Sequence, residues 1–537
     1  MVAHIFGCQR RGAGSLVARS THPRATHPGR RPRSARATAA AHAMAAATVA
    51  LSTSLALSAC GGLAADGPAQ SGPTGESPER DPDGLDPERD GDAARPDAEG
   101  GASESLLDRN LSAMLDDLRG IDAEQRRFMR YVTLAHVRNS FDDRSDRANT
   151  AASDIEGARD VRRLAVTKLV NSVSRASGIA RPMSIGRERT YQRIDIRDYG
   201  WELPSSVLGR RYPDGWEAIV AGAAQPVVFA GPAADRLREL SRTDVPWLLA
   251  DDFVATVASG DVYYELMGAA DTLQGLQMQL AQTLGDPLLE VYRAGSTFSA
   301  LSFSPRVVER RGGRESGLWQ ALDFADAERG LAIFTDPLSV VPDATEVIFS
   351  LPNGLRGYFV ADATGRRTAV SPLPTSVISD PSQPDGVMRN AASCFNCHNG
   401  GLIPFRDEVR ERSASLPPDQ QASALALFPE PGVLESLANG DDDRYFRALA
   451  AADVSAQMED PISRVHRGFW DELGPQQAAG ELFVEPRVLA GEASRLGGAL
   501  PALAAPSTRI PRTEFATYYV EALCRLHRAS ENRPAGC

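Results

Sequence analysis

Cysteine and histidine are scarce in this 537-residue chain, with six and eight copies, and aromatic side chains make up only 6% of it. So few cysteines cannot build a disulfide scaffold. The single CxxC has no second Cys/His pair at similar spacing, which removes a four-ligand zinc site. There is no GxSxG elbow, Walker loop, dinucleotide fingerprint or HExxH, so the common hydrolase, nucleotide and metalloprotease chemistries lack their sequence supports. Paired carboxylates such as Asp251-Asp252 are read as solvated faces. Only one apolar run, Ala37 to Ala59, approaches the length of a membrane span. The remainder, within a chain that is 42% hydrophobic, has the composition of a soluble globular protein.

What is there is Cys394-Phe395-Asn396-Cys397-His398, a CxxCH pentapeptide. Two thiols at this spacing add across the two vinyl groups of one haem, and the following histidine is placed to ligate the iron. A redox CxxC of the thioredoxin kind opens a helix after a strand, whereas Ser382 to Ser393 reads as a polar loop. The expected cofactor is one covalent haem c on Cys394 and Cys397, with His398 as axial iron ligand. Met458, the only methionine after His398, is the candidate distal ligand, in a loop-like segment. Met388 and His466 compete with it, His136 and His527 are read as ordinary surface or core residues, and an unfilled sixth position would admit small ligands. Gly400 and Gly401 would let backbone pass close to the haem edge. A carbonyl near Ile403-Pro404 is expected to accept the proximal imidazole N–H.

Residues 1–59 carry eight arginines and no acidic residue, ending in the apolar run. Leu57-Ser58-Ala59-Cys60 resembles the lipobox of bacterial lipoproteins (57–60), in which the cysteine receives a diacylglycerol and becomes the mature N-terminus. The alternative is a plain transmembrane anchor. On the lipoprotein reading, acyl chains at Cys60 hold the protein at a membrane surface of the cell envelope, on the periplasmic face or in the outer membrane. Haem attachment to CxxCH also occurs outside the cytoplasm, so the two motifs agree. With Cys8 lost in the leader, Cys60 acylated and two cysteines on haem, only Cys524 and Cys537 remain. In an oxidising compartment they would close the tail with a disulfide worth about 3 kcal/mol.

Losing the eight leader arginines takes the formal charge from −12 to −20. That surface disfavours nucleic acid and suits a basic redox partner. From 60 to 105 the sequence is Gly, Pro, Asp, Glu and Arg with few apolar residues, a flexible tether. Two domains are expected beyond it. The first, 106–385, is read as α+β: Val161 to Val173 and Leu273 to Leu284 have helical spacing, and Tyr191 to Arg197 alternates as a strand. Glu346 to Leu351 and Leu355 to Ala361, joined by Pro352-Asn353-Gly354, form the clearest hairpin signal. After Asn390 short helical patterns dominate, which predicts an all-α cytochrome c-like haem domain over 386–537.

The stretches EVIFSLPNGLRGYFVADATGRR, SDPSQPD and SCFNCHNGGLIPFRDEVR resemble the C-terminal module of large secreted bacterial proteins known only as cytochrome c domain-containing. The likeness extends upstream through Asn171 to Ser174, Ile194 to Trp201, Arg293 to Gly295, Glu309-Arg310, Trp319 and Asp323-Phe324. That group usually has an aromatic at Ser296, paired asparagines at Ser304-Pro305 and a histidine at Arg311, so this chain departs from it there. The resemblance implies a haem protein and supplies no catalytic residue. It leaves two readings of function. One is a lipid-anchored monohaem electron carrier. The other is a haem-dependent oxidoreductase, peroxidase-like or substrate-oxidising, with its substrate site in the 106–385 region.

Overall fold

The computed structural model describes residues 105–537 apart from 140–151, 187, 208, 285–288, 298–301, 303 and 314–316. The leader, the lipobox with Cys60 and all of the tether before Ser105 lie outside the described residues. Ser105 opens the first helix, Leu106–Arg119, its hydroxyl accepting from Asp108 N at 3.0 Å. Such a cap satisfies an amide that the helix itself cannot.

Two sheets organise the chain beyond this helix. In the smaller one the strands run in the order Met183–Ile185, Tyr191–Asp195, Met129–Thr133 and Trp247–Leu249. Only the Trp247–Leu249 strand is parallel to its neighbour. The expected strand at Tyr191 stops at Asp195, whose carboxylate accepts from Arg197 N at 3.0 Å and turns the chain into a short 3-10 helix. The larger sheet is an antiparallel meander of Val291–Ser296, Arg306–Arg311, Leu318–Asp323, Ala344–Ser350 and Arg356–Asp362. Its last two strands are the hairpin read from sequence. Gly354 in their connection has φ +86°, and Leu351 N bonds Leu355 O at 2.8 Å. Asn353 at the tip donates to Asn171 O at 2.8 Å, tying the hairpin to the helix Ala152–Ser172. That helix is buried on every side from Ala165 to Ser172.

The expected all-α haem domain does not form. Sixteen α-helices and several sheets make one mixed α/β architecture among the described residues. The C-terminal helices pack mainly on upstream layers. One core joins Val166, Val170, Val347, Tyr358 and Phe359 with Phe395, Tyr445, Ile462 and Val465. A second joins Leu107 and Leu111 of the first helix with Leu482, Phe515 and Leu523. The physical reason is that a helical apolar stripe records which face is buried and is silent about what covers it. Here upstream helices and the sheets together cover it.

Near the C-terminus, Arg533–Pro534 pairs antiparallel with Phe229–Ala230, and Asp108 accepts from Ser530 and from Asn532 Nδ2 at 2.6 and 2.7 Å. Cys524 and Cys537 are joined in a disulfide with their Cα atoms 5.5 Å apart. No helix among the described residues is long and apolar enough to cross a membrane. Cys537→Ser should lower the unfolding free energy by about 2–3 kcal/mol, because the bond restricts the unfolded tail. Urea denaturation under non-reducing conditions checks this, and an unchanged midpoint would show that the tail docks equally well without the bond.

Candidate functional site

The CxxCH segment forms a seven-residue helix, Ala392–His398. Its entry is strained: Ala391, fully buried and not glycine, has φ +63°. Cys394 and His398, four apart, fall on one side of the helix. Both line a cavity of about 560 Å³, a volume in the range of cofactor sites. Cys397 is half-buried and is not among the lining residues, and neither Cys394 nor Cys397 belongs to a disulfide.

The five-stranded sheet supplies the wall across from that helix, through Arg306, Val308, Trp319, Ala321, Glu346 and Ile348. A strap from Leu402 to Glu408 closes the side. Both ends of the strap are fastened. Leu402 N donates to Asp442 at 3.0 Å, and Glu408 N donates to Gly295 O at 2.8 Å. The Glu408 carboxylate accepts from Thr297 N and Oγ1 at 3.1 and 2.9 Å, and Phe405 packs on Trp319 with ring centroids 5.8 Å apart.

His398 Nδ1 lies 3.3 Å from the carbonyl oxygen of Gly401, two residues before the expected Ile403-Pro404 acceptor. The carbonyl is an acceptor, so Nδ1 carries the hydrogen and Nε2 keeps its lone pair. Gly401 has φ +109°, and a Cβ there would lie 2.6 Å from the Asp442 carboxylate, so only glycine fits this turn. Burial, then the Arg356 guanidinium, push the imidazole down to about 3. It is therefore neutral at ordinary pH, the form that ligates iron. Its ring stacks over Tyr358 at 6.4 Å.

Arg306 and Glu346 on the sheet wall are polar groups that the sequence alone does not single out. Arg306 forks onto Asp323 at 2.9 and 2.8 Å and reaches Glu346 at 3.3 Å. Glu346 Oε1 is buried with no hydrogen-bond partner among the described residues. Burial first, and the neighbouring Asp323 carboxylate second, push Glu346 up to about 7 against the pull of Arg306. A buried polar atom left unsatisfied calls for a further group at the site. Arg406, exposed at the cavity edge, has no ion-pair partner among the described residues. Nothing in the sequence short of the sheet register places Arg306, Asp323 and Glu346 side by side.

The other candidate ligands lie elsewhere. Met458 is half-buried outside the cavity, its carbonyl accepting from Asn399 Nδ2 at 2.8 Å. Met388 is buried with Val360, Val377 and Ile378. His466 Nε2 lies 3.3 Å from Ser259 Oγ, His136 pairs with Asp251, and His527 bonds Leu482 O at 2.8 Å. The Cys524–Cys537 bridge belongs to the tail. Apart from His398, no Met, His or Lys among the described residues lines the cavity.

The lining would suit the iron side of a haem, with a free imidazole nitrogen and one thiol on one side, largely apolar walls and an arginine at the edge to meet a carboxylate of the macrocycle, while Cys397, the second attachment thiol, lies outside the lining. Glu346 gives a test that needs no haem. An unfolded glutamate loses its proton near 4.5, whereas the folded one keeps it to about 7. The folded state binds more protons in between, so stability falls as pH rises through that window. Urea midpoints at pH 5 and pH 8 should differ more for the wild type than for Glu346→Gln. Equal differences would mean that the carboxyl is not held protonated. In the comparisons with known proteins, no family model, no curated protein and no solved structure matches this chain.

Proposed function

We propose that this chain is a monohaem c-type protein of the cell envelope, held at a membrane by acyl chains on Cys60, and that it acts as a haem-dependent oxidoreductase on a small ligand. In this reading Cys394 and Cys397 carry the haem and His398 Nε2 holds the iron. Haem supplies a one-electron couple and an iron whose remaining position takes a ligand.

The single observation that carries the reading is the composition of the sheet wall, where Arg306 and Glu346 stand and, among the described residues, no methionine, second histidine or lysine does. An electron carrier of the common kind would close the iron with such a side chain. Met458, the sequence candidate for that role, is not among the lining residues, and its carbonyl accepts from Asn399.

Each polar group has a role set by its surroundings. The Gly401 carbonyl fixes the tautomer and direction of His398. Asp323 holds Arg306 by both its oxygens, presenting a fixed positive charge to the cavity. Glu346, protonated near neutrality, can give a proton to a bound ligand and take one back. Arg406 meets a carboxylate at the mouth, and the acidic surface suits a basic redox partner.

The test is the visible spectrum of residues 61–537 produced with haem-maturation machinery and reduced by dithionite. Carbon monoxide should shift the Soret band, and Met458→Ala should leave the spectrum as it was. A sharp α-band indifferent to carbon monoxide would overturn the open site in favour of the electron carrier. A product without haem would overturn both.

A further inference from the structure

Lys168 is the only lysine in the 537-residue sequence, against 57 arginines. It projects from the buried helix Ala152–Ser172 and is itself 1% exposed. Its ammonium donates to Asn399 Oδ1 at 2.9 Å and forms an ion pair with Asp460. The rings of Phe395 and Tyr445 flank it, with centroids 5.5 and 5.9 Å away. Phe395 and Asn399 are, like Cys394 and His398, four residues apart. Lys168 thus holds one side of the motif helix while the adjacent side faces the cavity.

This helix depends on outside support. It is about two turns long, has no side-chain bond at its N-cap and begins at a residue with positive φ. Asn399, at its C-cap, also donates to Met458 O at 2.8 Å, and Asp460 accepts from Ser463 N at 2.8 Å to start the helix Pro461–Trp470. One ammonium therefore joins three helices at the back of the site. A small roll of so short a helix would swing His398 relative to the sheet wall.

We infer that Lys168 is the positioning residue for His398, gripping the motif helix at Phe395 and Asn399 and so fixing the direction in which the imidazole faces the cavity. The inference rests on the proposed haem reading. The residue type supports it. The other buried cations are arginines, and Arg306, Arg310 and Arg512 each spread their N–H groups over two or more acceptors. At Lys168 the acceptors converge on one point between two rings, which suits a compact ammonium. A planar guanidinium, longer and broader than an ammonium, does not fit the same point between the rings. Substitution by the residue used everywhere else in the chain is therefore disruptive here.

The experiment compares the full-length, haem-matured wild type with Lys168→Arg and Asn399→Ala. Both variants should attach haem at the wild-type level by pyridine haemochrome assay. Both should show shifted g-values in the ferric electron paramagnetic resonance spectrum and a cyanide affinity altered about tenfold, the scale of an outer-shell effect on a metal site. If Lys168→Arg does not fold, Lys168→Met combined with Asp460→Asn removes the charge from both partners and must give the same shifts. Unchanged g-values and cyanide affinity in the folded variants, with or without a loss of thermal stability, would reduce Lys168 to a core ion pair and overturn the inference. If the variants and wild type alike lack haem, the haem reading itself has failed.

Discussion

A meander of five strands cannot stand alone, because its apolar faces must be removed from water. Here the cover is drawn from distant parts of the chain: the helix Ala152–Ser172 and the tyrosine pair Tyr263 and Tyr264 from upstream, and Phe395, Tyr445 and Val465 from downstream. This shared burial places the motif helix against the sheet. Once the sheet is the surface on which the motif helix is docked, the cavity beside it acquires a polar wall from alternate strand positions. The chemistry of the site is a by-product of how the hydrophobic problem is solved.

The buried charges arise from the same arrangement. Arg306 and Asp323 face each other across neighbouring strands, and Glu346 stands on the next. Three charged groups in so little water are tolerable only because the guanidinium fork satisfies both oxygens of Asp323 and reaches Glu346. The protonated state of Glu346 relieves what the single cation cannot. A structural ion-pair network and a poised acid are here one object seen at two pH values.

Much of the local structure was legible in the sequence. The hairpin announced itself by two alternating runs about Asn353-Gly354, and Leu273–Leu284 by its period. The CxxCH spacing singled out Cys394 and His398, and the structure adds that they fall on one side of a helix. What failed was everything that depends on a partner far along the chain. Helical patterns after Asn390 suggested a self-contained bundle, yet their faces pack on helices and sheets formed earlier. Glu346 was visible as a strand residue, but its meaning required Arg306 forty residues away and Asp323 between them. The Gly401 carbonyl displaced the expected acceptor because a positive φ at that glycine turns it back toward His398.

The contacts between the first helix and the tail carry a consequence for the order in which the molecule can be made. Asp108 bonds Ser530 across 422 residues, and Leu107 and Leu111 share a core with Phe515 and Leu523. During synthesis, which proceeds from the N-terminus, the helix Leu106–Arg119 emerges among the earliest segments with its apolar stripe uncovered. The helix Pro232–Ser241 and the strand residues Tyr131 and Tyr191 cover part of it first, and the cover is completed only when the residues around 515–532 arrive. Long-range closure of this kind is slow and leaves sticky surface waiting. Such a chain gains from being kept extended by a holdase until its last turn is released.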